Sequence, residues 1–126
     1  MKIDHQRHIG DTRTVLSVTI EQRGTSGTMQ PVDLTGKTVE FKMVNAATGA
    51  SKIDKTSTGV SVETAVSGTA YYRFSSSGVD TAGIYHGWFV VTDTARTDHF
   101  PVGQGVVIGI DSDTQTAEEA YRSQLA

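Results

Sequence analysis

From Leu16 onward the chain alternates apolar and polar residues. Leu16, Val18 and Ile20 share one face, with Ser17, Thr19 and Glu21 opposite, which is the period of a half-buried β-strand. The pattern stops at the polar loop Gly24-Thr25-Ser26-Gly27 and resumes from Lys37 to Val44. There Val39, Phe41 and Met43 lie on one face, and Glu40 and Lys42 on the other. Asn45-Ala46-Ala47-Thr48-Gly49 ends that strand, with Gly49 free to take the positive φ of a short hairpin loop. Ser51 to Lys55 follows as an edge strand carrying Lys52, Asp54 and Lys55. Val60 to Thr64 and Thr69 to Phe74 form the next pair, the latter alternating Ala70, Tyr72 and Phe74 with Tyr71 and Arg73.

After Ser75-Ser76-Ser77-Gly78, the run Val79 to Tyr85 leads into Gly87-Trp88-Phe89-Val90-Val91-Thr92, apolar on both faces as a central strand requires. Asp93 to Asp98 reads as a hairpin loop and Val102 to Ile110 as the last strand. About seven short strands, with turn signals every eight to twelve residues, predict an all-β antiparallel sandwich over residues 13–110. Its predicted core is Val39, Phe41, Met43, Tyr72, Phe74, Tyr85, Trp88 and Val90. A small barrel is the competing all-β solution.

The flanks differ. Residues 1–12 are polar and predict an extended amino-terminal arm that a partner would order. Residues 111–126 predict a carboxyl-terminal tail or a short helix. Thr116 there stands three residues before Glu119, the spacing of a capping box, and Ala120, Tyr121 and Leu125 supply a docking face.

Composition narrows the chemistry. The 126 residues fit one domain, and the absence of cysteine excludes disulfides, thiolate metal sites and cysteine nucleophiles. A net charge of -3 gives no bulk drive toward nucleic acid or anionic membrane. No apolar run is long enough for a membrane span, and no signal peptide is predicted.

Several residues invite chemistry, and each has a plainer reading. His5 and His8 would meet a metal only on a helical turn, which their neighbours do not favour, so they read as partner contacts. His86 and His99 have no carboxylate at motif spacing. Asp111, Asp113, Asp93 and Asp98 lie near loops but form no calcium motif, and the preferred reading is a solvated chain exit. Gly103-Gln104-Gly105 lacks the lysine and helix of a phosphate loop and reads as a bulge. No serine sits in a nucleophile elbow, and nothing places Glu63 and Asp80 at a glycosidase separation. The sequence therefore predicts no enzyme, catalytic residue, cofactor or metal. Lys52 and Lys55 make only a small basic spot, interrupted by Asp54.

The series Pro31-Val32-Asp33-Leu34-Thr35-Gly36-Lys37-Thr38-Val39-Glu40-Phe41, Asn45 to Gly49, Asp80 to Tyr85 before Trp88-Phe89-Val90-Val91, and Phe100-Pro101 belongs to a stretch of about residues 12–110. In order and spacing it resembles the immunoglobulin-like domain of bacteriophage tail and baseplate structural proteins, of the upper-baseplate amino-terminal type. The resemblance implies a noncatalytic virion component, assembled in the host cytoplasm. It would join other virion structural proteins in the tail, baseplate or head–tail region, in several copies, with neither nucleic acid nor membrane as partner. A chain ending soon after the last strand leaves no room for a receptor-binding domain, so assembly is the expected role. His5, His8, Tyr71, Tyr121 and Leu125 are the expected partner contacts. The likeness also implies that Tyr85 returns its hydroxyl to the backbone as a tyrosine corner. The alternative from the residues themselves is a carbohydrate-binding or host-surface adhesion module presenting Tyr71, Tyr72 and Trp88.

Overall fold

The computed structural model describes residues 3–13, 15–23, 27–94, 96–101 and 105–125. The loop expected at residues 24–27 and the beginning of the expected strand from Val102, with Gly103-Gln104, fall wholly or partly outside them. The protein is mostly β, with one short helix.

Eleven strands are described: β1 (His5–His8), β2 (Val15–Thr19), β3 (Glu21–Arg23), β4 (Met29–Pro31), β5 (Thr38–Asn45), β6 (Ser51–Thr56), β7 (Val60–Thr64), β8 (Thr69–Arg73), β9 (Gly83–Thr92), β10 (Thr97–Phe100) and β11 (Val106–Asp111). Helix α1 (Ala117–Leu125) closes the chain. The large sheet has the order β1-β11-β9-β5-β6, and β10 also pairs with β9. Strand β5 runs along β9 from Thr38↔Thr92 to Asn45↔Tyr85. On the opposite edge β11 takes the first half of β9 and β10 the second. A smaller sheet has the order β2-β8-β7, and β3 and β4 form a separate ribbon.

Inward residues of both sheets meet in one buried cluster. Leu16, Ala70, Tyr72 and Phe74 come from or beside the small sheet; Val39, Phe41, Met43, Tyr85, Phe89, Val91, Ile108 and Ile110 come from the large one. Phe41 sits at its centre, stacked on Tyr72 at 4.3 Å and edge-on to Phe89 at 5.2 Å. The strict alternation of β5 puts Val39, Phe41 and Met43 there, as the sequence predicts.

Three expectations need correction. Residues 1–12 are not a free arm: β1 lies parallel to β11, with Gln6 opposite Gly109, so the sheet is not wholly antiparallel. Its inward residue is Arg7, so no apolar alternation announces the strand. The count exceeds seven because β1, β3, β4 and β10 are short and polar or exposed. The run from Val79 leads into the central strand, with Tyr85 near its start. Ser76–Val79 is a 3-10 turn, and the continuous strand starts at Gly83. Trp88 is half-buried and shares the parity of Ile84, which faces away from the main cluster. Val90, on that same parity, is fully buried.

Of the two forms expected for residues 111–126, the short helix is present, and it is docked. It lies on the outer face of the large sheet, where Ala117 packs with Ile84 and Val107, and Ala120 is also buried. The capping box forms, with Thr116 N–H donating to Glu119 Oε1 (2.9 Å) and Glu119 N–H to Thr116 Oγ1 (3.2 Å). These bonds hold the Glu119 carboxyl below its ordinary range. Asp111 Oδ1 accepts Ala117 N–H (2.7 Å), and at the far end Gln124 bridges Asn45 Nδ2 and the Ala82 carbonyl, both at 3.0 Å.

Candidate functional site

Three features carry the chemistry of the described residues. The first is the seat of β1. Arg7 is only 4% exposed and lies 4.4 Å above the Phe74 ring. Its guanidinium donates to the Asp11 carbonyl (2.7 Å) and lies 3.0 Å from His5 Nε2, while its Nε has no partner. Burial lowers the Arg7 pKa, and burial followed by the Arg7 charge lowers that of His5. Neutral His5 thus accepts from Arg7 and stacks on Phe74. His8, by contrast, is turned to solvent. Its bond to the Ile9 carbonyl, and then Asp113 and Asp11, raise its pKa, and Asp113 lies 3.1 Å from its Nε2.

The second is Tyr85, whose hydroxyl donates to the Thr81 carbonyl at 2.8 Å, four residues upstream. Burial, with the Asp80 charge adding to it, pushes its pKa to about 12. Above pH ~10 an unfolded tyrosine releases its proton, while folded Tyr85 keeps it. Stability present below that pH is therefore lost as pH rises toward 12. Tyr85→Phe should cost about 1 kcal/mol at neutral pH and flatten this alkaline loss, both measurable by urea unfolding across pH. An unchanged alkaline slope would refute the assignment.

The third is the unpaired margin of the sheets. Strand β6 is an edge, as expected, but it is bulged against β5 and carries Lys52, Asp54 and Lys55. Lys52 is further tied to Asp80. Strand β7 is the opposite case. It pairs only with β8 among the described residues and is exposed from Ser61 to Thr64. Val62 is 39% and Val66, in the turn beyond, 69% exposed.

A shallow depression of about 550 Å³ also opens on the outer face of the large sheet around Trp88. The aromatics named for a sugar platform do not converge there. Tyr72 is in the core, Tyr71 is half-buried on the outer face of the small sheet, and only Trp88 lines the depression. Of the expected partner contacts, His5 is occupied by Arg7 and Phe74, Tyr121 of α1 packs against the Ile84–Val107–Ala117 cluster, and Leu125 is exposed. Arg7 and Val62 were missed by sequence reasoning. Valines at alternate positions in a strand free of Lys and Pro were the available signal for the second. Among the described residues no group of three or more His, Asp or Glu is placed to hold a metal, and no helix is long and apolar enough to cross a membrane. Neither a protein-family model nor a curated protein matches the sequence.

Proposed function

We propose that this protein is a noncatalytic assembly module with an immunoglobulin-like sandwich, of the kind found in bacteriophage tails and baseplates. It joins copies of itself and other virion structural proteins through the margin at β7. The fold part of this reading is supported by the β2-β8-β7 sheet facing the β1-β11-β9-β5-β6 sheet. It is supported again by Tyr85 reaching back to the Thr81 carbonyl at the start of β9, in the manner of a tyrosine corner. The segments that carry the phage resemblance are turn and corner builders here. Asn45 Oδ1 accepts the N–H groups of Ala47 and Thr48, and Asp33 Oδ1 accepts that of Thr35.

The observation that carries the assembly role is the contrast between the edges at β6 and β7. Strand β6 bears the charges and bulge that discourage strand addition; β7 offers an open ladder with an exposed valine. Two-fold antiparallel pairing of β7 with the same strand of a second copy satisfies its free main-chain groups and covers Val62. Light scattering across a concentration series should give a discrete multiple of the chain mass. Val62→Lys should return it to the monomer with a stability change within about 0.5 kcal/mol. A wild-type monomer at every concentration, or an oligomer indifferent to Val62→Lys, would refute pairing at β7.

A further inference from the structure

The depression around Trp88 lies apart from β7, on the half of the outer sheet face that α1 leaves uncovered. Trp88 projects from the central strand β9. Lys42 Nζ sits 5.3 Å from the ring centroid. A Cβ at Gly105 would lie 2.8 Å from Trp88 Cε2 and Nε1, so the main chain of Gly105 rests against the pyrrole edge of the indole. The ring is thus held by packing before any ligand arrives, which lowers the ordering cost of binding.

The groups around the ring are polar except for Phe100, which is itself buried. Gln22, Lys42, Thr97, Asp98 and His99 line the depression with it. Burial, then Lys42 and Lys55, lowers the His99 pKa, so at neutral pH its imidazole offers one donor and one acceptor. Lys42 supplies donors, Asp98 acceptors, and Gln22 and Thr97 both. A protein-docking hot spot is a cluster of anchors in a well-packed, fully desolvated centre of the interface. Here the large exposed apolar side chains among the described residues, Met29, Val62, Val66 and Leu125, all lie outside the depression. One immobilised indole ringed by mixed donors and acceptors instead suits a ligand with an apolar C–H face and hydroxyls around its rim.

We infer that the Trp88 depression is a saccharide subsite, in which a pyranose ring stacks on the indole and its hydroxyls engage Asp98, Gln22 and Lys42. This does not rest on the assembly reading. A shallow site with one ring binds a single sugar at about millimolar Kd, and several copies held together would raise the avidity for a polymeric glycan.

Trp88 is the sole tryptophan of the chain, so its fluorescence reports on this site alone. Titration with glucose, galactose and N-acetylglucosamine should give a saturable spectral shift for at least one, and none with glycerol at the same concentration. Asp98→Ala and Gln22→Ala keep the reporter and alter exposed side chains. Each should weaken binding, Asp98→Ala by about tenfold or more, as expected for losing a hydrogen bond to a charged group, with melting temperature unchanged. The inference is overturned if none of the three sugars gives a saturable shift, or if both variants bind as the wild type does. A shift that follows protein concentration rather than sugar would also overturn it, by making the depression a protein contact. Val62→Lys should bind sugar normally, which separates failure here from failure of the assembly reading.

Discussion

Phe41→Ala is expected to destabilise the protein by about 3–5 kcal/mol, measured by equilibrium urea unfolding. Phe41 is fully buried and stands where four residues converge: Tyr72 of β8 stacks on it, Phe89 of β9 and Phe74 after β8 meet it edge-on, and Gly87 of β9 lies beneath its ring tip. A Cβ at Gly87 would lie 2.8 Å from Phe41 Cζ and 2.9 Å from Ile108 Cδ1, so the ring occupies the space that glycine leaves. Truncation opens a cavity lined by rings that are themselves locked in mutual contact, and such a wall relaxes little. The loss is a large share of the roughly 5–15 kcal/mol that stabilises an ordinary domain. The Phe41–Gly87 fit gives a second reading of the same experiment. Gly87→Ala alone should cost about 1–3 kcal/mol by overpacking, yet in the Phe41→Ala background it should cost less, because the added methyl enters the vacated space. Additive losses in the double variant, or a Phe41→Ala cost below about 1 kcal/mol, would show that the core is not built around this contact.

What could be read from the sequence follows from where alternation and side-chain chemistry coincide. Strand β5 was legible because Val39, Phe41 and Met43 go inward while Glu40 and Lys42 go outward. The Thr116–Glu119 spacing announced the helix start, because both partners of the cap lie within one turn. Strand β1 was illegible because its single inward residue is a cation. Arg7 is kept there by a ring face, a main-chain carbonyl and a neutral histidine, none of which leaves a mark in a hydropathy pattern. Strand β9 hid its faces for another reason. On the outer side the helix covers Ile84 and Val90 is fully buried, so both sides of the strand carry buried apolar residues and alternation vanishes. Parity still held the answer for Trp88: Tyr85, Phe89 and Val91 are odd-numbered residues of the main cluster, so the neighbour of Phe89 must face the other way. The Trp88 depression was harder still, since it joins Gln22 of β3 to residues of β5, β9 and β10, and no local pattern reports such convergence.

Gly68→Ala is expected to cost about 2–5 kcal/mol, the sum of a left-handed residue bearing a Cβ at roughly 1–2 and overpacking at roughly 1–3. Gly68 has φ +70°, and a Cβ there would lie 2.6 Å from the Ile20 carbonyl oxygen and 2.8 Å from that of Val32. Both obstacles are main chain, so no side chain can swing aside. The same atoms tie three segments together. Ile20 N–H donates to the Gly68 carbonyl at 2.7 Å, and Val32 N–H donates to the Ile20 carbonyl at 2.8 Å. The turn between β7 and β8 is thereby fastened to the end of β2 and to the stretch leading into β5, so relieving the clash means breaking bonds between segments far apart in sequence. Gly36→Ala provides the control. Gly36 has φ +74° but nothing within 4 Å of a built Cβ, so its substitution carries the backbone term alone. The difference between the two variants in urea unfolding isolates the close approach, and it should be at least about 1 kcal/mol. Equal losses would mean that the three segments yield to a methyl group, and that the knot at Gly68 does not hold the small sheet in place.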